Sequence, residues 1–145
     1  PSGQDPLEIS EDEFKALMQS RKARIKPLLL NQSFIAGIGN IYADEILHKA
    51  GIHPLQHTHT LSQMQITKLY QAMQEILRQA IEQKGSSIRD YVDSSGQQGD
   101  YQRYHHVYQR QGQPCLTCHT EIAQIKIGGR SSHFCPRCQG AGTGN

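Results

Sequence analysis

The sequence predicts a mainly α-helical chain that closes in a small β-hairpin finger. Three observations carry this. Apolar residues recur at helical spacing from Phe14 to Ile81. Helix-start and helix-stop residues punctuate that pattern. The chain's four cysteines fall as Cys115-Leu-Thr-Cys118 and Cys135-Pro-Arg-Cys138, with sixteen residues between the pairs.

Taken in order, Ser10-Glu-Asp-Glu13 has the form of a capping box, and Phe14, Leu17 and Met18 follow on one helical face. A second short helix is expected from Pro27, a residue suited to a first helical turn, with Leu28 to Leu30 turned inward. Gly37-Ile-Gly39-Asn40 then interrupts. Asn40 is the expected N-cap of a third helix over Ile41 to Ala50, with Asp44 and Glu45 near its positive end, Gly51 beyond its C-terminus and Pro54 closing the segment. The longest helix is expected from about Ser62 to Lys84. Ile66, Leu69, Tyr70, Met73, Ile76, Leu77, Ala80 and Ile81 keep the 3.6-residue period, and Gly85 ends it. Residues 86–114 carry turn chemistry with few core-forming side chains, which describes a mobile connection.

The finger follows from the cysteines. Two Cys-x-x-Cys knuckles place four thiolates at the corners of a tetrahedron, and the stretch between them runs out and back as a hairpin. Ile122, Ile125 and Ile127 supply β-branched residues, Gly128-Gly129 a positive-φ turn, and Arg130 to Phe134 the return. Four sulfurs with no open position describe one structural zinc ion, not a catalytic one. Two disulfides would require an oxidising compartment, which nothing in the sequence implies. Cys115-Leu-Thr-Cys118-His119 also matches a haem-attachment motif, but that leaves Cys135 and Cys138 without a role. His119 and His133 are expected beside the site as solvated or packed residues, not as ligands.

A chain of 145 residues allows one domain or two small ones. It has no apolar run long enough for a membrane span and no targeting segment, so an intracellular setting is expected. A net charge of +2 would not by itself suggest nucleic acid. The distribution is more informative, with acidic residues at positions 5–13 and a basic run of Arg21, Lys22, Arg24 and Lys26.

Gly37-Ile-Gly39-Asn40 lies directly before a helix, so its amides face outward with the positive helix end behind them, an arrangement that receives phosphate. A tightly packed helix pair would need the same glycines. At the finger tip, Gly128-Gly129-Arg130 can set a guanidinium against a phosphate. The alternative role for Arg130 is to offset the thiolate charge, although Arg137, between two ligands, is better placed for that. The turn and the arginine-tipped finger together make nucleic acid the better joint explanation, through backbone contacts that anchor without reading bases.

Several stretches closely resemble the bacterial formamidopyrimidine-DNA glycosylases. They are Ile25-Lys26-Pro27-Leu28-Leu29-Leu30, Ile35 through Leu47, Ala50-Gly51-Ile52-His53-Pro54, and Gly128-Gly129-Arg130-Ser131 running into Cys135-Pro136-Arg137-Cys138-Gln139. The resemblance covers nearly the whole chain, in order, and implies a helix–two-turn–helix bundle followed by a four-cysteine, zinc-ribbon-like finger. It implies a linker over 1–9, the DNA-binding domain over 10–88, a lesion-capping loop and connector over 89–109, the finger over 110–139 and a disordered tail over 140–145. It also implies roles. Asn40, with Gly37 and Gly39 in its turn, would meet a DNA phosphate near the lesion. Lys26 would help bind damaged DNA, and Arg130 would contact phosphate from the finger tip. The segment from Arg89 to about Tyr104 would cover a flipped base. Tyr108 and Arg110, also expected among the DNA-binding residues, approach the finger where the family usually has Val-Tyr-Gly-Arg and this chain has Gln109.

Family members begin Pro-Glu-Leu-Pro, with the proline amine as nucleophile. Here Pro1 precedes Ser2-Gly3-Gln4-Asp5-Pro6-Leu7, which resembles the family's interdomain linker. The chain is therefore expected to bind duplex DNA, damaged or abasic, and to catalyse nothing by itself. Its parent would be a bifunctional DNA glycosylase and AP lyase of base-excision repair acting on 8-oxoguanine and formamidopyrimidines, in a bacterial cytoplasm at the nucleoid. A monomer is expected. A ribosomal-type RNA-binding module and a protein-interaction zinc module are the other classes open to this sequence.

Overall fold

The computed structural model describes residues 3–93 and 105–140, with side chains of the long helix described through residue 83. Helix α1 spans Glu11–Gln19, α2 Ile25–Leu30, α3 Asn40–Ala50 and α4 Gln63–Asp93, with one 3-10 turn at Thr58–Thr60. Strands β1 (Ala123–Ile127) and β2 (Arg130–Phe134) form an antiparallel hairpin. No helix among the described residues is long and apolar enough to cross a membrane.

The capping box forms as the sequence predicts. Ser10 Oγ accepts from Glu13 N at 3.1 Å, and Ser10 N donates to Glu13 Oε1 at 2.9 Å. Phe14 and Met18 then face inward from α1. They meet Ile25, Leu28 and Leu29 of α2, Ile46 and Leu47 of α3, and Ile66, Leu69 and Met73 of α4 in one apolar core. Each such side chain contributes on the order of 1.5–3 kcal/mol on full burial.

Several boundaries differ from expectation, each for a local reason. Helix α2 begins at Ile25, two residues before Pro27, because Ile25 N and Lys26 N donate to the carbonyls of Gln56 (2.8 Å) and Pro54 (3.2 Å). Gly39, not Asn40, is the N-cap of α3, and Asn40 is its first helical residue. Gly51 does close α3, at φ 73°. Gly85 does not end α4, whose backbone stays helical to Asp93. An interior glycine costs about 1 kcal/mol relative to alanine but does not forbid the helical conformation. The helix therefore crosses the expected boundary at 88. The remainder of the expected capping loop, 94–104, and all but the first residue of the expected tail lie outside the described residues.

The first residues are also integral to the bundle. Gly3 N donates to Gln32 O, and Gln4 bridges Ile35 in parallel, with Gln4 N on Phe34 O and Ala36 N on Gln4 O. A side chain at Gly3 would lie 2.4 Å from the Phe34 carbonyl carbon, so only glycine fits. Ile9 enters the core, and its carbonyl accepts from Tyr70 Oη at 2.7 Å.

The finger has its own small cluster of Val107, Cys115, Ile122 and Cys135, separate from the helical core. Its hairpin turn is the predicted Gly128-Gly129 pair, with both φ positive at 57° and 82°. That is the geometry whose twist matches two antiparallel strands. Because the two clusters share no residue, removing the metal should unfold residues 112–140 and leave the helices standing. With a chelator added, the far-ultraviolet helix signal should persist while finger amide resonances lose their dispersion. A single cooperative loss of both would show that the bundle needs the finger.

Candidate nucleic-acid interface and metal centre

The four cysteine sulfurs all lie within 4.8 Å of one another. Cys118 lies 3.4 Å from Cys135 and 3.6 Å from Cys138, and Cys115 lies 3.8 Å from Cys138, sulfur to sulfur. A tetrahedral zinc with bonds of about 2.3 Å places its sulfurs roughly 3.8 Å apart. The knuckles supply further N–H groups, from Thr117 to the Cys115 sulfur (3.4 Å) and from Cys138 to the Cys135 sulfur (3.3 Å). Hydrogen bonds from Thr120 pull the Cys118 thiol down to about 6, whereas burial pushes the Cys138 thiol up. Four thiols this close cannot ionise together without a cation, so an all-sulfur donor set of this shape fits one structural zinc ion. His119 is exposed, and His133 is turned to Asp44 and Gln124, so neither histidine joins the cluster.

The glycine turn is organised from below. The Gln32 side chain accepts from Gly37 N at 2.7 Å and donates to the Ile38 carbonyl at 3.2 Å. Gly37 sits at φ 90°, and a Cβ at Gly37 or Gly39 would meet nothing within 4 Å. No side chain caps α3. The turn and the positive helix end thus present open backbone to an approaching molecule.

The finger tip is fixed against this turn. Asn40 Nδ2 donates to the Ser131 carbonyl at 3.0 Å, and Lys26 Nζ donates to the same carbonyl at 3.1 Å and to Ser132 Oγ at 2.7 Å. Lys26 also pairs with Asp44 Oδ1 at 2.6 Å. Its ammonium is 1 % exposed, with a partner for each N–H. Burial draws the Lys26 pKa down, Asp44 opposes that shift and the charge of Arg130 adds to it. Arg130 itself is exposed at the start of β2, next to Ser131.

Of the residues singled out in the sequence, Gly37, Gly39, Asn40, Lys26 and Arg130 therefore come together. Tyr108 borders the group, its ring edge-on to His133 at 5.0 Å. Arg110 does not join it. Its guanidinium donates to the carbonyls of His106 (2.9 Å) and Pro114 (3.0 Å), bracing the connector.

Asp44 and Glu45 have roles that sequence reasoning missed. Asp44 Oδ2 accepts from His133 N (3.0 Å) and lies 2.8 Å from His133 Nδ1. Glu45 accepts the backbone N–H groups of His106, Val107 and Tyr108 at 2.8, 2.9 and 2.9 Å. Their flanking core residues, Ala43 and Ile46, were the available signal that this part of α3 is buried on more than one face. Gln139 was also missed. It accepts from Cys135 N at 2.7 Å and donates to the Ile52 carbonyl at 2.9 Å, tying the second knuckle to the loop after α3.

A helix–two-turn–helix bundle carrying a zinc-ribbon-like finger is the class that this fold and site define. Family models agree: residues 3–92 match the formamidopyrimidine-DNA glycosylase H2TH domain, and residues 112–140 match the zinc finger found in FPG and IleRS. The chain belongs to the formamidopyrimidine-DNA glycosylase family, of which it represents the C-terminal H2TH and zinc-finger region. A formamidopyrimidine-DNA glycosylase of Solibacter usitatus is 55% identical over 137 residues, covering 94% of this chain and 52% of the relative. One from Pelotomaculum thermopropionicum is 49% identical over 139 residues, covering 94% and 50%. The Lactococcus lactis Fpg complex with DNA containing an abasic site superposes with a TM-score of 0.83 at 40% identity, over 97% of this chain and 52% of that one. The Lactococcus lactis complex with FAPY-dG-containing DNA gives 0.83 at 39% identity, over 97% and 51%. The chain thus spans about half the length of the curated relatives it matches.

Two expectations follow from the site. Gln109 stands at φ 57°, where the resembling motif has glycine. A left-handed non-glycine residue is disfavoured by roughly 1–2 kcal/mol, offset in part by the chain entropy glycine adds. Gln109→Gly should raise stability by about 1 kcal/mol in denaturant unfolding, and a loss would mean that the Gln109 side chain holds the connector. Glu45 behaves differently. Burial pushes its carboxyl up, but the hydrogen bonds from His106, Tyr108 and Val107 outweigh burial and hold it below the usual value of 4.5. A depressed carboxylate stabilises the fold above its unfolded pKa, and that stability disappears as pH falls through the folded one. Glu45→Gln should therefore lose about 2 kcal/mol at neutral pH. Urea titrations of both proteins should converge well below pH 4.5. A constant difference across pH would exclude the charge as its source.

Proposed function

We propose that this chain is the DNA-binding half of a bifunctional DNA glycosylase and AP lyase of base-excision repair that acts on oxidised purines such as 8-oxoguanine and formamidopyrimidine. Its partner is duplex DNA carrying a damaged base or an abasic site, bound by a monomer. The Gly39 amide, the Asn40 side chain and the Arg130 guanidinium contact phosphates, while Gly37, its N–H held by Gln32, shapes the turn that presents them. Lys26, Tyr108 and Arg110 act from within, holding the turn, the finger and the connector in place. The observation that carries this reading is the shared Ser131 carbonyl. By accepting from both Lys26 and Asn40, it sets the arginine-bearing finger tip beside an uncapped helix start. The nucleophile and proton-transfer groups belong to a segment that these residues do not supply, so the chain alone binds without cleaving.

Few phosphate contacts imply modest affinity and a shallow dependence on salt, with log K falling by about 0.9 per contact for each tenfold rise in salt. Binding should be measured at several salt concentrations on an undamaged duplex and on one with an abasic-site analogue, for the wild type and Arg130→Ala. The wild type should bind both, favour the abasic duplex and lose affinity with salt. Arg130→Ala should bind more weakly and with a slope smaller by roughly one. A folded, zinc-loaded chain that binds neither duplex, or that prefers structured RNA, would overturn the proposal.

A further inference from the structure

The metal centre has a contact that the four-cysteine motif does not account for. His48, in the last turn of α3, places its Nε2 3.7 Å from the Cys115 sulfur. The Cys115 and Cys135 sulfurs also receive N–H groups, but from Thr117 and Cys138, within their own knuckles. Among the described residues, His48 is the side chain from the helical bundle that reaches a ligand sulfur, and Cys115 is fully buried.

The imidazole is held in place by a chain of contacts. His48 stacks on His106, with centroids 5.8 Å apart and planes inclined by 18°. His106 Nδ1 lies 3.5 Å from Glu45 Oε1, and Glu45 is fixed by three backbone N–H groups of the connector. A groove of about 690 Å³ lies beside this stack, lined by Glu45, His48, Lys68, Glu75, His106 and Cys138, and so leads from solvent to the cysteine cluster. Any reagent or chelator that enters it meets His48 and Cys138 together.

A metal-bound thiolate carries no proton, so towards His48 it can only accept. The contact then requires the imidazole to donate from Nε2. Four thiolates on a dication leave an excess of negative charge, and each N–H aimed at a sulfur lowers that sulfur's tendency to leave the metal or to attack an electrophile. Partners one shell out from a metal commonly change its affinity by 10–100-fold.

We propose that His48 is an outer-sphere donor to the Cys115 thiolate, so that the finger retains its metal through α3 as well as through its own knuckles. The helical bundle and the metal centre are thereby one functional unit, and loss of the α3 contact loosens the ion. The inference rests on the zinc reading of the four cysteines.

The test uses the whole chain loaded with zinc or cobalt, as wild type, His48→Phe and His48→Gln. Transfer of zinc to a chromophoric chelator should be about 10-fold faster in His48→Phe. Its sulfur-to-cobalt charge-transfer band should move to lower energy as the sulfur loses its donor. His48→Gln offers an amide N–H at a similar reach and should recover most of both properties. In the wild type loaded with NMR-active cadmium, the His48 Nε2 proton should show scalar coupling to the metal, a result that needs no variant to fold. Absence of that coupling overturns the proposal, as does a His48→Phe variant with wild-type release and an unmoved band. Equal behaviour of the Phe and Gln variants would assign His48 to packing alone and would also overturn it. A wild type that takes up no zinc or cobalt would instead remove the four-cysteine reading itself.

Discussion

The buried pair of Lys26 and Asp44 is the constraint on which the rest of the arrangement depends. Both side chains are 1 % exposed, so each has lost nearly all of its water. Withdrawing two charges from solvent costs several kcal/mol per ion unless their remaining valences are met. Here they are met from the finger. Ser131 and Ser132 take the other two ammonium N–H groups, and the second Asp44 oxygen receives His133. The pair is dry only while the hairpin is docked, and the docked hairpin supplies the partners that burial requires. Directional bonds fix a register that apolar contact between a strand and a helix would leave free to slide.

Two further polar ties act in the same sense at other points. Glu45 collects the connector amides one residue along α3, and Gln139 links the second knuckle to the Ile52 carbonyl. The finger is thus held from its strand, its entry and its exit, and Arg130 inherits the precision of all three. This matters for the proposed phosphate contacts, because a guanidinium and a helix terminus act jointly only at a set separation. The carboxylates of Asp44 and Glu45 in α3 do not serve solvent here. They convert a helix into a mounting plate for the metal finger.

How much of this could be read from the sequence depends on the range over which each signal acts. The Ser10 capping box, the Gly128-Gly129 turn, Gly51 after α3 and the cysteine knuckles are decided within a few residues, and all take the form the sequence predicts. Gly85 failed as a stop signal because a glycine permits a turn without compelling one, and α4 runs on to Asp93. Asn40 is not the N-cap because Gly39 takes the extended cap conformation one residue earlier, and the Asn40 amide instead reaches Ser131, ninety-one residues away, a partner no local rule supplies. Asp44 and Glu45 look like residues placed for the helix dipole, yet the backbone N–H groups they accept lie sixty to ninety residues on. Residues 3–9, where the resemblance implies a linker, are hydrogen-bonded into the bundle by partners around residues 32–36 that no local signal names.

The finger's own energetics explain why such external ties are present. Its apolar cluster comprises Val107, Cys115, Ile122 and Cys135, and two of those four are metal ligands. Ordering a residue costs about 1–2 kcal/mol of backbone entropy, so a cluster this small cannot organise residues 112–140 by apolar burial. Zinc supplies the difference, since structural sites of this kind contribute on the order of 10–16 kcal/mol. That surplus also accounts for local conformations a purely apolar fold of this size would not support. Gln109 and His119 both adopt left-handed backbone at φ 57° and 68°, one leading into the finger and the other inside the first knuckle. The metal fixes the shape of the finger, and the buried charges of α2 and α3 fix where that shape is presented.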